Sequence, residues 1–164
     1  MDLIAQYEIP FLHPLVVHFP LVLILLGAGA AGGYLLLGRA GWRQAGLILF
    51  ALGTVSAWAA QETGHALRDA VEGDPIVEEV VGRHAAGATW TIWTSAFAAV
   101  AFGVASAARL RRPKPVGEGE EAPPPRKREP LWGRLLVVLP AFLAAALVAW
   151  TAHLGGIMVW GVPR

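Results

Sequence analysis

Five histidines, His13, His18, His65, His84 and His153, are the residues of this sequence best suited to chemistry. Neutral imidazole ligates haem iron, copper, zinc and nickel through a ring lone pair. Cysteine is absent, which excludes disulfides, thiolate metal sites, iron–sulfur ligation and covalent c-type haem attachment through Cys. No nucleophile–base pair, phosphate loop or nucleic-acid footprint accompanies the histidines, so no independent enzymatic activity is expected.

The elements that must carry these residues are apolar and long. Apolar residues make up 55% of the 164 and charged residues 15%, and the charges are segregated. A bilayer core of about 30 Å needs about 20 helical residues. Four runs qualify, at about 14–37, 42–61, 85–108 and 131–154. The expected fold is all-α, one integral membrane four-helix bundle over 1–164. Gly29 and Gly33 form a small-xxx-small pair suited to close packing in the first span.

Basic residues set the direction. Arg39 and Arg43 lie between spans one and two. Arg109, Arg111, Arg112, Lys114, Arg126, Lys127, Arg128 and Arg134 lie between three and four, and only Arg68, Arg83 and Arg164 remain for the other side. The expected topology is therefore N-out/C-out in a bacterial inner (plasma) membrane. No signal peptide is expected, since Asp2 and Glu8 precede the first span without a basic residue. The cytoplasmic link, about 110–130, is rich in Pro, Glu, Gly, Arg and Lys and reads as a flexible linker. In the outer loop, Asp74-Pro75 resembles a helix start, and Ile76, Val77, Val80 and Val81 share a face. A short interfacial helix is expected there.

All five histidines then fall near the outer surface. By helical rise, His18 lies about 31 Å above Arg39, His65 about 33 Å above Arg43, His153 about 29 Å above Arg134, and His84 about 37 Å above Arg109. His153 shares a face with Ala149, Ala146, Ala145 and Phe142; His84 with Ala88, Thr91, Ser95 and Ala98; His65 with Gln61, Trp58 and Thr54. Small or polar stripes of this kind belong against other helices, so the imidazoles are expected to converge inside the bundle. The competing reading is that each histidine bonds neighbouring backbone at a helix end. Pro14 is expected to hold His13 outside regular helix, and Pro20 to kink the first span beside His18. Gly155-Gly156 reads as the end of the fourth helix, with close ligand approach as the alternative. Trp58, Trp90, Trp93, Trp150 and Trp160 on the same side read as an aromatic belt.

A four-helix bundle can clamp a porphyrin between two facing histidines. The expected function is thus a membrane redox protein carrying b-type haem near the outer face. His18 and His153 are the first ligand pair, His65 and His84 the next, with His13 also in the cluster and Arg83 or Arg68 for the propionates. Electrons would move along the outer surface or to a quinone, because one outer haem cannot bridge about 30 Å. Two alternatives stay open. One is a Zn or Cu site that adds Glu62 to the histidines; the other is a cofactor-free structural subunit of a larger respiratory or photosynthetic complex. Beyond the lipid bilayer no partner is fixed, and a homo-oligomer stays open.

The string His13-Pro14-Leu15-Val16-Val17-His18-Phe19-Pro20 resembles the HPxxVHFP signature of an uncharacterised bacterial family of four-span membrane proteins (domain of unknown function 2231). Thr63-Gly64, His84 and His153-Leu154-Gly155-Gly156-Ile157-Met158-Val159-Trp160 also match its pattern. The sequence departs at Trp160-Gly161-Val162, where the family tends to have Tyr and a longer Gly-Val tail. The resemblance implies the four-span fold. Through the association of relatives with cytochrome c or Rieske-type domains, it also implies membrane electron transfer.

Overall fold

The computed structural model describes residues 12–70, 75–110 and 129–160. Five helices account for them: α1 His13–Val16, α2 His18–Leu37, α3 Ala40–Ala70, α4 Pro75–Leu110 and α5 Leu131–Trp160. No strand occurs among the described residues. Four stretches are long and apolar enough to cross a bilayer: His13–Leu37, Ala40–Asp69, Glu78–Arg109 and Leu131–Met158. The interior of the expected flexible link (111–128) and the Asp74 cap lie outside the described residues.

Each long helix packs against its neighbour in sequence, and α2 packs against α5, closing a four-membered ring. Inward residues recur at steps of three and four, as one face of a helix requires. On α4 these are Gly87, Thr91, Ser95, Ala98 and Phe102; on α5, Ala141, Ala144, Val148, Thr151 and Leu154. Ile24 and Tyr34 join Phe50, Phe102 and Val138 in one buried core, and the Phe50 and Phe102 rings stack with centroids 6.1 Å apart. Glycine makes room for these rings. A Cβ on Gly27 would lie 2.9 Å from Phe50, and one on Gly46 would lie 2.9 Å from Phe102. The expected Gly29/Gly33 pair divides instead: Gly33 receives the Trp42 ring, whereas Gly29 meets nothing within 4 Å. Hydroxyls cross-link the interior, with Thr54 donating to Ser95 at 3.0 Å and Gln61 donating to Thr89 at 3.1 Å. Outward faces carry Val55, Trp58, Trp90, Trp93, Phe97 and Val100, all exposed, as lipid-facing positions should be.

The helix boundaries depart from expectation in four places. The segment expected as a short interfacial helix is not a separate one: Pro75 opens α4, which runs unbroken to Leu110. Pro at the first helical position starts the helix, and Gly82 alone is too weak a breaker to stop it. Pro20 does disturb the first span, but upstream. Its ring crowds the carbonyl four residues earlier, that of Val16, where α1 ends and Val17 forms the joint. His13 is helical rather than outside the helix, because Pro14 sits in the first turn, where its missing N–H is harmless. Gly155-Gly156 does not end α5, which continues to Trp160.

At the end opposite the histidines, charges close the bundle. Glu129, just before α5, accepts a 2.8 Å hydrogen bond at Oε1 from Nε of Arg109 on α4, and its Oε2 accepts from the Tyr34 hydroxyl on α2. Arg43 on α3, 7% exposed, donates Nε to Ser106 at 3.1 Å. Burial alone would raise the Glu129 carboxyl. The hydrogen bonds from Tyr34 and Arg109, with the charges of Arg109 and Arg43, outweigh it and hold the group below the usual carboxylate range. Arg134 donates Nη1 to the carbonyl of Leu35 at 3.2 Å and Nη2 to that of Glu129 at 3.3 Å, capping the α2 C-terminus as a cation should. The Arg134 guanidinium lies against Gly38, whose φ of 64° is the left-handed conformation that ends α2.

Candidate functional site at the histidine end

Two of the five histidines come together. The rings of His13 and His84 lie with centroids 6.5 Å apart at 83°, edge to face, and both side chains are half-buried. Different helices hold them. His13, at the start of α1, sets Nδ1 3.0 Å from the hydroxyl of Thr63 on α3. His84, on α4, sets Nδ1 2.9 Å from the backbone carbonyl of Thr151 on α5. One pair of rings therefore ties α1 to α3 and α4 to α5.

The His84 contact fixes its tautomer. A carbonyl only accepts, so His84 carries its proton on Nδ1. The Thr63 hydroxyl also lies 2.9 Å from the Ala60 carbonyl of its own helix, so its single proton goes either to that carbonyl, with Nδ1 of His13 donating to Thr63, or to Nδ1 itself. In neutral His84, and in His13 when its Nδ1 donates to Thr63, Nε2 is the lone-pair nitrogen. A metal-ligating histidine has this form: one ring nitrogen donates to a fixed acceptor and the other faces the ligand.

Small residues give the rings their room. A Cβ on Gly64 would stand 2.9 Å from Cε1 of His13, and one on Gly155 would stand 3.3 Å from Cε1 of His84. Gly155 thus serves close approach rather than helix termination. Thr151, 8% exposed, keeps its Oγ1 buried without a hydrogen-bond partner among the described residues, so one more polar atom beside the pair is unspent.

The remaining histidines do not join them. His18, His65 and His153 are all exposed. His18 turns back on its own helix, with Nδ1 2.6 Å from the Pro14 carbonyl, and His153 lies against the Trp150 ring at 6.0 Å. The expected His18/His153 and His65/His84 pairs are therefore not the ones assembled. The His153 stripe faces outward: Ala149, Ala146 and Phe142 are exposed, while Ala141, Ala144 and Val148 turn in. Alanine occupies both faces of α5, which left the sequence pattern without a direction. The His84 stripe does turn inward, through buried Thr91, Ser95 and Ala98. Arg83 is exposed and paired with Glu79 at 2.7 Å; Arg68 and Glu62 are exposed. No group of three or more His, Cys, Asp or Glu side chains among the described residues is arranged to hold a metal ion.

The model of the family described as "Predicted membrane protein (DUF2231)" matches residues 9–162. The chain belongs to this family. No curated protein and no solved structure matches the chain. Membership in DUF2231 accords with the four candidate spans, and the match extends from before His13 through α5. In this member the two histidines of the HPxxVHFP string part company, His13 to the interior pair and His18 to the surface. Thr63-Gly64 and Gly155, visible in the sequence as pattern matches, prove to be the supports of the two rings. Thr151 had no sequence signal, because it acts on His84 through its backbone carbonyl.

Proposed function

We propose that this DUF2231 protein is a membrane redox protein that holds b-type haem between His13 and His84. The observation that carries the reading is the pair of half-buried imidazoles, each with Nδ1 held by a partner on another helix, which leaves Nε2 of His84, and of His13 in its Nδ1–H form, to ligate. Metal–nitrogen bonds of about 2.0 Å to two opposed imidazoles put their ring centroids roughly 6 Å apart, so the 6.5 Å spacing would serve once both Nε2 atoms turn toward one iron. Two protein ligands suffice for haem iron, since the porphyrin supplies the rest. Tetrahedral zinc takes four, and no third His, Cys, Asp or Glu ligand is grouped with the pair among the described residues. That weighs against the Zn or Cu site with Glu62. Haem would supply one-electron transfer, to a surface partner such as a cytochrome c or Rieske-type protein, or to a quinone. Arg83 is the propionate partner if it exchanges Glu79 for the propionate.

A second reading has its own support. Each ring already bonds one helix to another, so the pair also suits a cofactor-free structural subunit of a larger respiratory or photosynthetic complex. Oxidised and dithionite-reduced spectra of the protein purified from haem-replete cells, with a pyridine haemochrome assay, separate the two. The haem reading expects a Soret band and a reduced α-band that vanish in His13→Ala and His84→Ala. A colourless wild-type protein overturns it, and metal analysis then divides a Zn or Cu site from the structural subunit.

A further inference from the structure

The opposite end of the bundle has more guanidinium groups than described carboxylates. Glu129 spends Oε1 on Arg109 and Oε2 on Tyr34. Arg43, 7% exposed, bonds the hydroxyl of Ser106 and shares the Glu129 charge with Arg109, and Arg134 bonds two backbone carbonyls while its Nε is buried without a partner among the described residues. Neither Arg43 nor Arg134 has a carboxylate of its own among the described residues. The other described acids, Glu62, Asp69, Glu78 and Glu79, belong to the histidine end of α3 and α4, about 30 Å away across a bilayer core. Guanidinium charge held partly out of water, in excess of the one described carboxylate beside it, calls for an anion.

The surroundings say which anion. Trp42 and Trp132 are exposed at this end, and exposed Trp of this kind marks the headgroup level of a bilayer. Leu36, Leu37, Leu131 and Leu135 beside them are exposed as well, offering apolar surface to acyl chains. The planar fork of arginine matches phosphate oxygens two at a time.

We propose that Arg43 and Arg134, flanking Glu129, form a binding site at headgroup depth for the phosphate of an anionic ester, such as a phosphatidylglycerol headgroup. Glu129 holds Arg109 and Tyr34 in place beside it and repels the incoming phosphate.

The test follows thermal unfolding of the full-length protein in mild non-ionic detergent. It compares added phosphatidylglycerol, phosphatidylcholine and glycerol phosphate. Phosphatidylglycerol should raise the unfolding midpoint saturably, and phosphatidylcholine should not. Arg134→Gln should weaken apparent binding roughly tenfold, the loss of one or two charge-assisted hydrogen bonds, whereas Arg39→Gln leaves it unchanged. Glu129→Gln, which removes the competing charge, should strengthen it, so the proposal stays testable even if Arg43→Gln does not fold. A response to the lipid alone assigns the phosphate to the bilayer, and an equal response to glycerol phosphate assigns it to a soluble ester. The proposal is overturned if neither phosphate stabilises the protein. It is equally overturned if Arg134→Gln responds like wild type, or if replacing the link acids Glu118, Glu120 and Glu121 by Gln creates the response, since those side chains would then already fill the site.

Discussion

The two ends of the bundle each gather polar groups from several helices, but they spend them differently. At the histidine end the groups gathered between helices are imidazoles and hydroxyls, the Nδ1 of each paired ring has a partner on another helix, and one buried hydroxyl is left over. At the arginine end one carboxylate has both oxygens occupied by Arg109 and Tyr34, and Arg134 caps a neighbouring helix. Imidazoles held by one ring nitrogen are prepared to take a ligand on the other; a filled carboxylate is prepared to hold helices. The histidine end should therefore lose a ligand on mutation while keeping its fold, and the arginine end should lose stability.

The largest expected effect breaks the first half of that contrast. His13→Ala combined with His84→Ala should abolish bound haem, read as loss of the Soret band, while the purified chain still elutes at the wild-type position. Loss of both colour and fold would instead make the pair structural. Next comes the charge clamp. Glu129→Ala removes one charge-assisted bond to Arg109 and one to Tyr34 and should cost about 1–3 kcal/mol, discounted for partial exposure, read as a lower thermal midpoint with any haem spectrum unchanged. A spectral change in that variant would show that the two ends are coupled and the contrast is wrong.

The fold was far more legible than the site. Four apolar runs of spanning length announce four helices from composition alone, because hydrocarbon tolerates little else. The boundaries were less legible, since the membrane-facing pattern says nothing about where a helix stops in water: α4 begins at Pro75 and α5 passes Gly155-Gly156. At the site, residue type singled out the histidines and helical rise put them near one end, but facing failed on α5, where alanine lines both sides. His13 was last among the candidates because it precedes a proline. That proline, with Pro20, sets off the single turn α1 that turns the His13 ring toward α3. A backbone carbonyl acceptor such as that of Thr151 has no residue identity, and no sequence pattern could have revealed it.

Acid should sharpen the contrast at intermediate size. The folded Glu129 carboxyl sits below its unfolded value, because the hydrogen bonds from Tyr34 and Arg109 and the nearby guanidinium charges outweigh burial. The stability it contributes is thus fully present above that value and is lost as pH falls through the lower, folded one. The thermal midpoint of wild type should decline over this acid range, and Glu129→Gln should start lower and decline less, so that the two curves converge. Parallel curves would mean that the clamp does not depend on the Glu129 charge.

The smallest effects test the supports of the rings. Gly64→Ala would bring a methyl 2.9 Å from the His13 ring, and Gly155→Ala one 3.3 Å from His84. The first separation is closer than real Cβ contacts allow, so the His13 ring must swing and strain its bond to Thr63. The second asks His84 to move by only a few tenths of an ångström. Gly64→Ala should therefore weaken haem retention and shift the α-band, Gly155→Ala should do so less, and His18→Ala and His153→Ala should leave the spectrum unchanged because both rings face away from the pair. If His18→Ala or His153→Ala outranks Gly64→Ala, the ligand lies on the outside of the bundle. The interior pair would then be only a brace between helices.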